Sequence, residues 1–203
     1  MLELNQALFL LLNAPAHPPG WMVGAAAALA NSPVAVAPVL VAALWVWGAP
    51  SGRGALIAVA GAVVAAQGVN MALGLFWFEP RPFMVPVGHT LVAHVADNGF
   101  PSDHATLVWT LGAGLAMTGA APRWGTAVCL YGVAVAWSRI WLGVHFPVDM
   151  LASASVGVLM GGCSRAVMPV VDWSVLPLVD RTYERTITVL HLPARVVPRR
   201  LSD

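Results

Sequence analysis

Apolar residues fall in long blocks along this chain, divided by short polar or proline-rich breaks. Residues 2–13 alternate poorly for a strand and read as a short amphipathic helix. At about 12 residues it is too short to cross a bilayer, so it is expected at the interface. Pro15, Pro18, Pro19 and Gly20 make residues 14–20 a loop. Residues 21–48 form one crossing, kinked or broken at Asn31-Ser32-Pro33, because proline removes a helix hydrogen bond. A turn at residues 50–53 leads to a second crossing, 54–77. Gln67, Asn70 and Gly74 share one of its faces, a polar stripe that should look into a bundle. Residues 78–101 are a long loop with prolines at 80, 82, 86 and 101, and loops of that length tend to carry function. Further crossings follow at 105–120, 124–142 and 147–163, the last ended by Arg165.

This pattern predicts an all-α integral membrane protein, a bundle of about five transmembrane helices plus a short N-terminal interfacial helix. Residues 1–166 would form the membrane-embedded domain. Residues 167–203 would be a cytoplasmic tail, an amphipathic segment lying on the surface with a loose end. Composition agrees: 59% of the 203 residues are hydrophobic and 9% are charged, against about 25% charged in soluble domains. A formal net charge of +1 argues against nucleic acid as a partner. Cys129 and Cys163 sit inside apolar runs and read as small hydrophobes rather than as a disulfide or metal pair. The opening Met1-Leu2-Glu3-Leu4 has no basic stretch, so no cleavable signal peptide is expected.

All ten basic residues are arginine. Arg53, Arg123, Arg165 and the arginines at 181, 185, 195, 199 and 200 fall on one side of the expected topology; Arg81 and Arg139 fall on the other. The positive-inside rule makes the first side cytoplasmic. Trp21, Trp77 and Trp141 would then belt the outer interface, and Trp45, Trp47 and Trp124 the inner one.

The same topology gathers three polar clusters at the outer mouth: Glu79-Pro80-Arg81-Pro82, Phe100-Pro101-Ser102-Asp103-His104, and Ser138-Arg139 with His145 and Asp149. Ionisable groups at the edge of a membrane are costly and demand a reason. His145 precedes Phe146-Pro147, so Asp149 falls in the first turn of a helix and can reach back to the imidazole. A carboxylate holding one ring nitrogen leaves the other as a nucleophile; helix capping is the structural alternative. Ser102 is placed to cap the next helix, whose free amides, including that of Asp103, form an anion site. His104 sits in its first turn, and Asp103 should point away from a bound anion. Arg81 and Arg139 can each grip phosphate oxygens through a planar fork, unless they only snorkel to the interface. No cluster has metal-ligand spacing. His89 and His94 read as solvated loop histidines or substrate contacts; His17 and His191 carry no signal.

Arg81-Pro82, Pro101-Ser102-Asp103-His104, and Ser138-Arg139 with His145 and Asp149 together resemble the three-part signature of the type 2 phosphatidic acid phosphatase superfamily. The run Asp97 to Ala105 and the opening Leu4-Asn5-Gln6-Ala7-Leu8-Phe9 are similar to the bacitracin-resistance type of undecaprenyl-diphosphate phosphatase, which regenerates the cell-wall lipid carrier at the outer face of the bacterial inner membrane. The resemblance implies catalytic His145, His104 and Asp149, with phosphate held by Arg81, Ser102, Arg139 and the Asp103 backbone. It implies a phosphohistidine on His145, orientation by Asp149, proton transfer by His104, a lipid diphosphate substrate, and no cofactor or metal. The superfamily has a lysine seven residues before its Arg-Pro pair; here that position is Gly74, and Asn70, one turn deeper, is the candidate replacement or else a packing amide. The same motifs suit a phosphatase of phosphatidic acid, phosphatidylglycerol phosphate or lipid A. A lipid-phosphate binder or transporter without turnover would not need a histidine held by a carboxylate.

Overall fold

The computed structural model describes residues 2–190, and among these every regular element is helical. Eight α-helices run in order: α1 (Leu2–Leu12), α2 (Gly20–Asn31), α3 (Pro33–Trp47), α4 (Arg53–Phe76), α5 (Asp103–Met117), α6 (Pro122–Trp141), α7 (Pro147–Ser174) and α8 (Leu176–Val189). Proline stands at or next to the start of α2, α3, α6, α7 and α8, where its missing N–H costs no hydrogen bond. α2 and α3 meet at a 51° bend around Ser32, whose hydroxyl donates to or accepts from Tyr131 of α6. That is the break expected at Asn31-Ser32-Pro33.

α5 is the central helix, packed on α4, α6 and α7. Close approach comes from small residues. A Cβ on Gly112 of α5 would meet Cys129 of α6, and one on Gly157 or Gly161 of α7 would meet α5. Residues 50–76 and α7 are each long and apolar enough to cross a membrane, and the bent pair α2–α3 passes the same test when its two helices are taken together, as a broken span or a re-entrant loop. With 15 residues, α5 rises only about 22 Å at 1.5 Å per residue, and it carries buried Thr106 and Thr110 in place of lipid-facing apolar surface.

α7 runs past the expected stop at Arg165 to Ser174, so a boundary after residue 166 falls inside a helix. Arginine is a good helix former, so the helix continues through Arg165, whose guanidinium donates to the Met117 carbonyl at the end of α5, 3.0 Å away. The segment after α7 is not loose as far as residue 190. α8 folds back on α4 and α7, with Ile187 buried. Arg53 is buried there, bonded to Asp180 at 3.0 Å and stacked under the rings of Trp45 and Tyr183, 5.0 and 4.6 Å from their centroids. Residues 191–203, with Arg195, Arg199, Arg200 and His191, lie outside the described part. Of the expected tryptophan belts, Trp21, Trp47, Trp77 and Trp124 are exposed. Trp141 is not: it is buried among Ala14, Ala26, Ala30 and Leu142. Both cysteines are free.

The end of α4, the start of α5, the end of α6 and the start of α7 all meet at one end of the bundle. Loop 77–102 covers that end. Gly99 N–H bonds the Glu79 carbonyl at 2.9 Å and Leu91 N–H the Leu142 carbonyl at 3.1 Å, which pins the loop to itself and to the α6–α7 turn.

Candidate active site

The α6–α7 turn is built by local chemistry. Just past the end of α6, Gly143 has φ +80°, a conformation that favours glycine. A side chain there would also strike the His89 carbonyl at 2.1 Å. The chain reverses, Val144 N–H returns to the Arg139 carbonyl at 3.1 Å, and Pro147 starts α7. Asp149 then reaches back to the beginning of its own helix. One oxygen, Oδ2, accepts the Phe146 N–H at 2.8 Å and the His145 Nδ1–H at 3.2 Å. Helix capping and imidazole orientation, alternatives in the sequence, are one interaction in the fold.

His145 is 1% exposed. With Nδ1 bonded to the carboxylate, its Nε2 is the acceptor, and two guanidinium groups face it. Arg81 Nη1 lies 2.9 Å away and Arg139 Nη2 3.3 Å. Arg81 comes from the loop and is braced by Asp97 (2.7 Å), the Asn98 carbonyl (3.2 Å) and the Val144 carbonyl (3.1 Å). Arg139 comes from the last turn of α6 and is held by the Ala30 carbonyl of α2 at 3.2 Å. Burial holds the His145 pKa well below the usual histidine range, and the charges of Arg139 and Arg81 push it further down. The ring is therefore neutral, the state in which a nitrogen lone pair can attack.

Ser102 stands at the N-cap position of α5 without capping it: its hydroxyl makes no hydrogen bond to the helix. Its N–H donates to Ser153 Oγ at 2.8 Å, one turn past Asp149 on α7. Ser153 in turn approaches the Asp149 and Ser102 carbonyls at 2.7 and 3.1 Å. This serine ties the second motif to the third. The sequence reading missed it, although its i+4 spacing from Asp149 puts both on one helix face. Buried Ser102 Oγ, Arg139 Nε and Asp149 Oδ1 have no protein partner among the described residues. Unbonded buried polar atoms are costly and call for an explanation; the two donors among them suit an anion beside Nε2.

His104 is half-buried in the first turn of α5. The Asp103 carboxylate points to α4, where it accepts from Asn70 Nδ2 at 2.9 Å; the same amide donates to Thr106 Oγ1 at 3.0 Å. Gln67 Nε2 meets the Asp103 carbonyl at 3.2 Å, so the polar stripe of α4 does face the bundle. Position 74 faces Asn98: a Cβ on Gly74 would lie 3.0 Å from its amide nitrogen, a tight contact with the end of a side chain. Asn98 itself bonds the Trp77 carbonyl and accepts from the Glu79 and Phe100 N–H groups. A cavity of about 450 Å³ with a mixed lining lies beside it, polar at Gln67, Asn70, Asp97, Asn98 and Asp103 and apolar at Met71, Phe100 and Pro101. His89 offers its backbone to Asn13, and His94 leans on Phe83. Among the described residues no three His, Cys, Asp or Glu side chains are grouped to hold a metal ion.

A family model described as the PAP2 superfamily matches residues 55–173. Over 168 residues, 82% of this chain and 83% of the relative, it is 37% identical to YbjG of Escherichia coli (strain K12), whose undecaprenyl-diphosphatase assignment is provisional. It is 36% identical over 152 residues to undecaprenyl-diphosphatase BcrC of Bacillus subtilis (strain 168), covering 73% of this chain and 75% of that one. The crystal structure of Aquifex aeolicus LpxE superposes with a TM-score of 0.66 at 24% identity, over 79% of this chain and 94% of that one.

Proposed function

The chain belongs to the PAP2 superfamily, and we propose that it hydrolyses undecaprenyl diphosphate to undecaprenyl phosphate and phosphate through a phosphohistidine at His145. The observation that carries this reading is the polarised imidazole: Nδ1 on Asp149, Nε2 between two arginine forks. Nε2 attacks the terminal phosphorus, the P–N bond forms, and the bond to the bridging oxygen breaks. His104 gives that oxygen its proton. Water then gives a proton to His104 and attacks phosphorus; the P–N bond breaks and phosphate leaves. Arg81, Arg139, the Ser102 hydroxyl and the Asp103 amide stabilise charge on the phosphoryl oxygens, the part a metal ion plays in other phosphoryl transfers. The Asn70 amide, engaged by Asp103, acts by turning that carboxylate away. A diphosphate suits the site because a phosphate leaving group demands less of His104 than an alkoxide does.

In this reading α2–α3, α4, α5, α6 and α7 are five crossings of a bacterial inner membrane. The catalytic mouth faces outward, and α8 with the following residues lies on the cytoplasmic side, as the arginine distribution favours. The phosphatase domain then runs through α7, eight residues beyond the expected boundary at 166.

Phosphate release from undecaprenyl diphosphate, phosphatidic acid and phosphatidylglycerol phosphate in one detergent tests the substrate, with His145→Ala alongside. The expected result is at least a tenfold advantage in kcat/KM for the diphosphate, and loss of several orders of magnitude in the variant. Equal turnover of phosphatidic acid removes the carrier-recycling role. Turnover by His145→Ala within tenfold of the unaltered protein removes the mechanism.

A further inference from the structure

The phosphoryl-transfer chemistry makes no use of α1, which is too short to cross a bilayer. A helix that only rests on an interface directs its polar side chains to water. Here Asn5 of α1 and Asn13, the residue that follows its last turn, are spent on the backbone of the catalytic turn. Asn13 Nδ2 donates to the carbonyls of His89 and Trp141 at 2.9 and 3.1 Å and reaches that of Ile140 at 3.4 Å. Its Oδ1 accepts the His89 N–H at 2.7 Å. At the other end of α1, Asn5 is buried, and its Oδ1 accepts the Val148 N–H at 3.2 Å. That amide belongs to the first turn of α7, where no carbonyl of the same helix can serve it. Asn5 thus caps α7 from another helix. Between the two, Phe9 is fully buried and meets Phe146 edge-on, centroids 5.1 Å apart.

Positions 5, 9 and 13 form one stripe at helical spacing. Their contacts bracket the reacting group: Ile140 and Trp141 follow Arg139, and Phe146 and Val148 lie between His145 and Asp149. His89 extends the same bonds to the loop that carries Arg81. We propose that α1 is a brace on the catalytic turn, and that Asn5 and Asn13 are positioning residues for phosphoryl transfer. They set how Arg81, Arg139 and His145 converge, which is a matter of about an ångström. The proposal rests on the histidine mechanism given above.

The test uses the full chain purified in detergent, with Asn5→Asp, Asn5→Leu, Asn13→Asp and Asn13→Leu. kcat and KM for undecaprenyl diphosphate are measured separately, with thermal midpoints in the same detergent. Asp at position 5 keeps the acceptor, and kcat should stay within about threefold; Leu removes it, and kcat should fall about tenfold with KM little changed. At position 13 the order differs. Asp keeps the acceptor but loses the donor to the carbonyls, so Asn13→Asp should lose kcat as Asn13→Leu does. The contrast between the two aspartate variants remains decisive if a leucine variant fails to fold. Wild-type kcat in both leucine variants, or an equal loss for Asp and Leu at position 5, overturns the brace. His145→Ala in the same assay separates the failures: its turnover would sink the mechanism, whereas its inactivity beside four fully active asparagine variants sinks only the brace.

Discussion

At His145 a single ring nitrogen is made available by what surrounds it. Asp149 fixes the tautomer, and burial with two arginines keeps the ring neutral. The ring binds fewer protons folded than unfolded, where the pKa is about 6.5. Its contribution to stability is therefore complete above about pH 6.5 and is lost as pH falls toward the lower folded value. Thermal midpoints in detergent should decline below that pH, and less steeply in His145→Gln; a midpoint indifferent to acid would contradict the burial. Activity carries the second half of this prediction. A general acid must be protonated, and a bound anionic substrate beside His104 favours its charged form. The alkaline limb of kcat should lie at higher pH than that of kcat/KM, and both should disappear in His104→Gln. Coincident limbs would give the acid role to another group.

The element that carries most of the unexpected structure is loop 77–102. Its sequence announced Arg81, Ser102 and the run from Asp97, but gave Asn98 no role of its own. In the fold Asn98 organises its return, bonding Trp77, Glu79 and Phe100 and presenting its carbonyl to Arg81. Gly74 is the other half of that arrangement, because a side chain there meets the Asn98 amide at 3.0 Å. Where the superfamily has a lysine, this chain has a glycine with the Asn98 amide close beside it. Gly74→Lys should accordingly lower phosphate release, by roughly tenfold, since it displaces the group that positions Arg81. A gain in activity would show that the lysine's phosphate contact was the deficit. Polar residues on α4 were legible as an inward stripe at helical spacing, but their partner was not. Asn70 and Gln67 engage Asp103, 33 and 36 residues on, a contact that only helix packing creates.

Across the whole molecule the bundle has two unlike ends. One holds Arg81, Ser102, His104, Arg139, His145 and Asp149. The other holds Arg53, Arg123 and Arg165, with Arg53 buried under the aromatic rings that clamp α8. A membrane-normal axis between these ends gives the proposed orientation. Reporter fusions at Asp97 and after Leu190 should therefore signal opposite sides of the membrane. Signals from the same side would mean that the number of crossings between them is even.

The sequence by itself determined the helices, the break at Ser32, the three motifs and the membrane character. Each of these depends on short-range signals: proline and glycine at ends, apolar runs, and residues three or four apart. It also determined that His145 and Asp149 could meet, since they share one helix start. Tertiary structure decided what stands around them. Arg81 reaches His145 across 64 residues, Asn13 reaches Trp141 across 128, and Ser153 reaches Ser102 across 51. It buried Trp141, which the chain pattern placed in an interfacial belt, and docked α8, which the pattern read only as an amphipathic segment on the surface, against α4 and α7. Long-range partners are chosen by which helix faces pack together, and a face carries no label in sequence for the face it will meet.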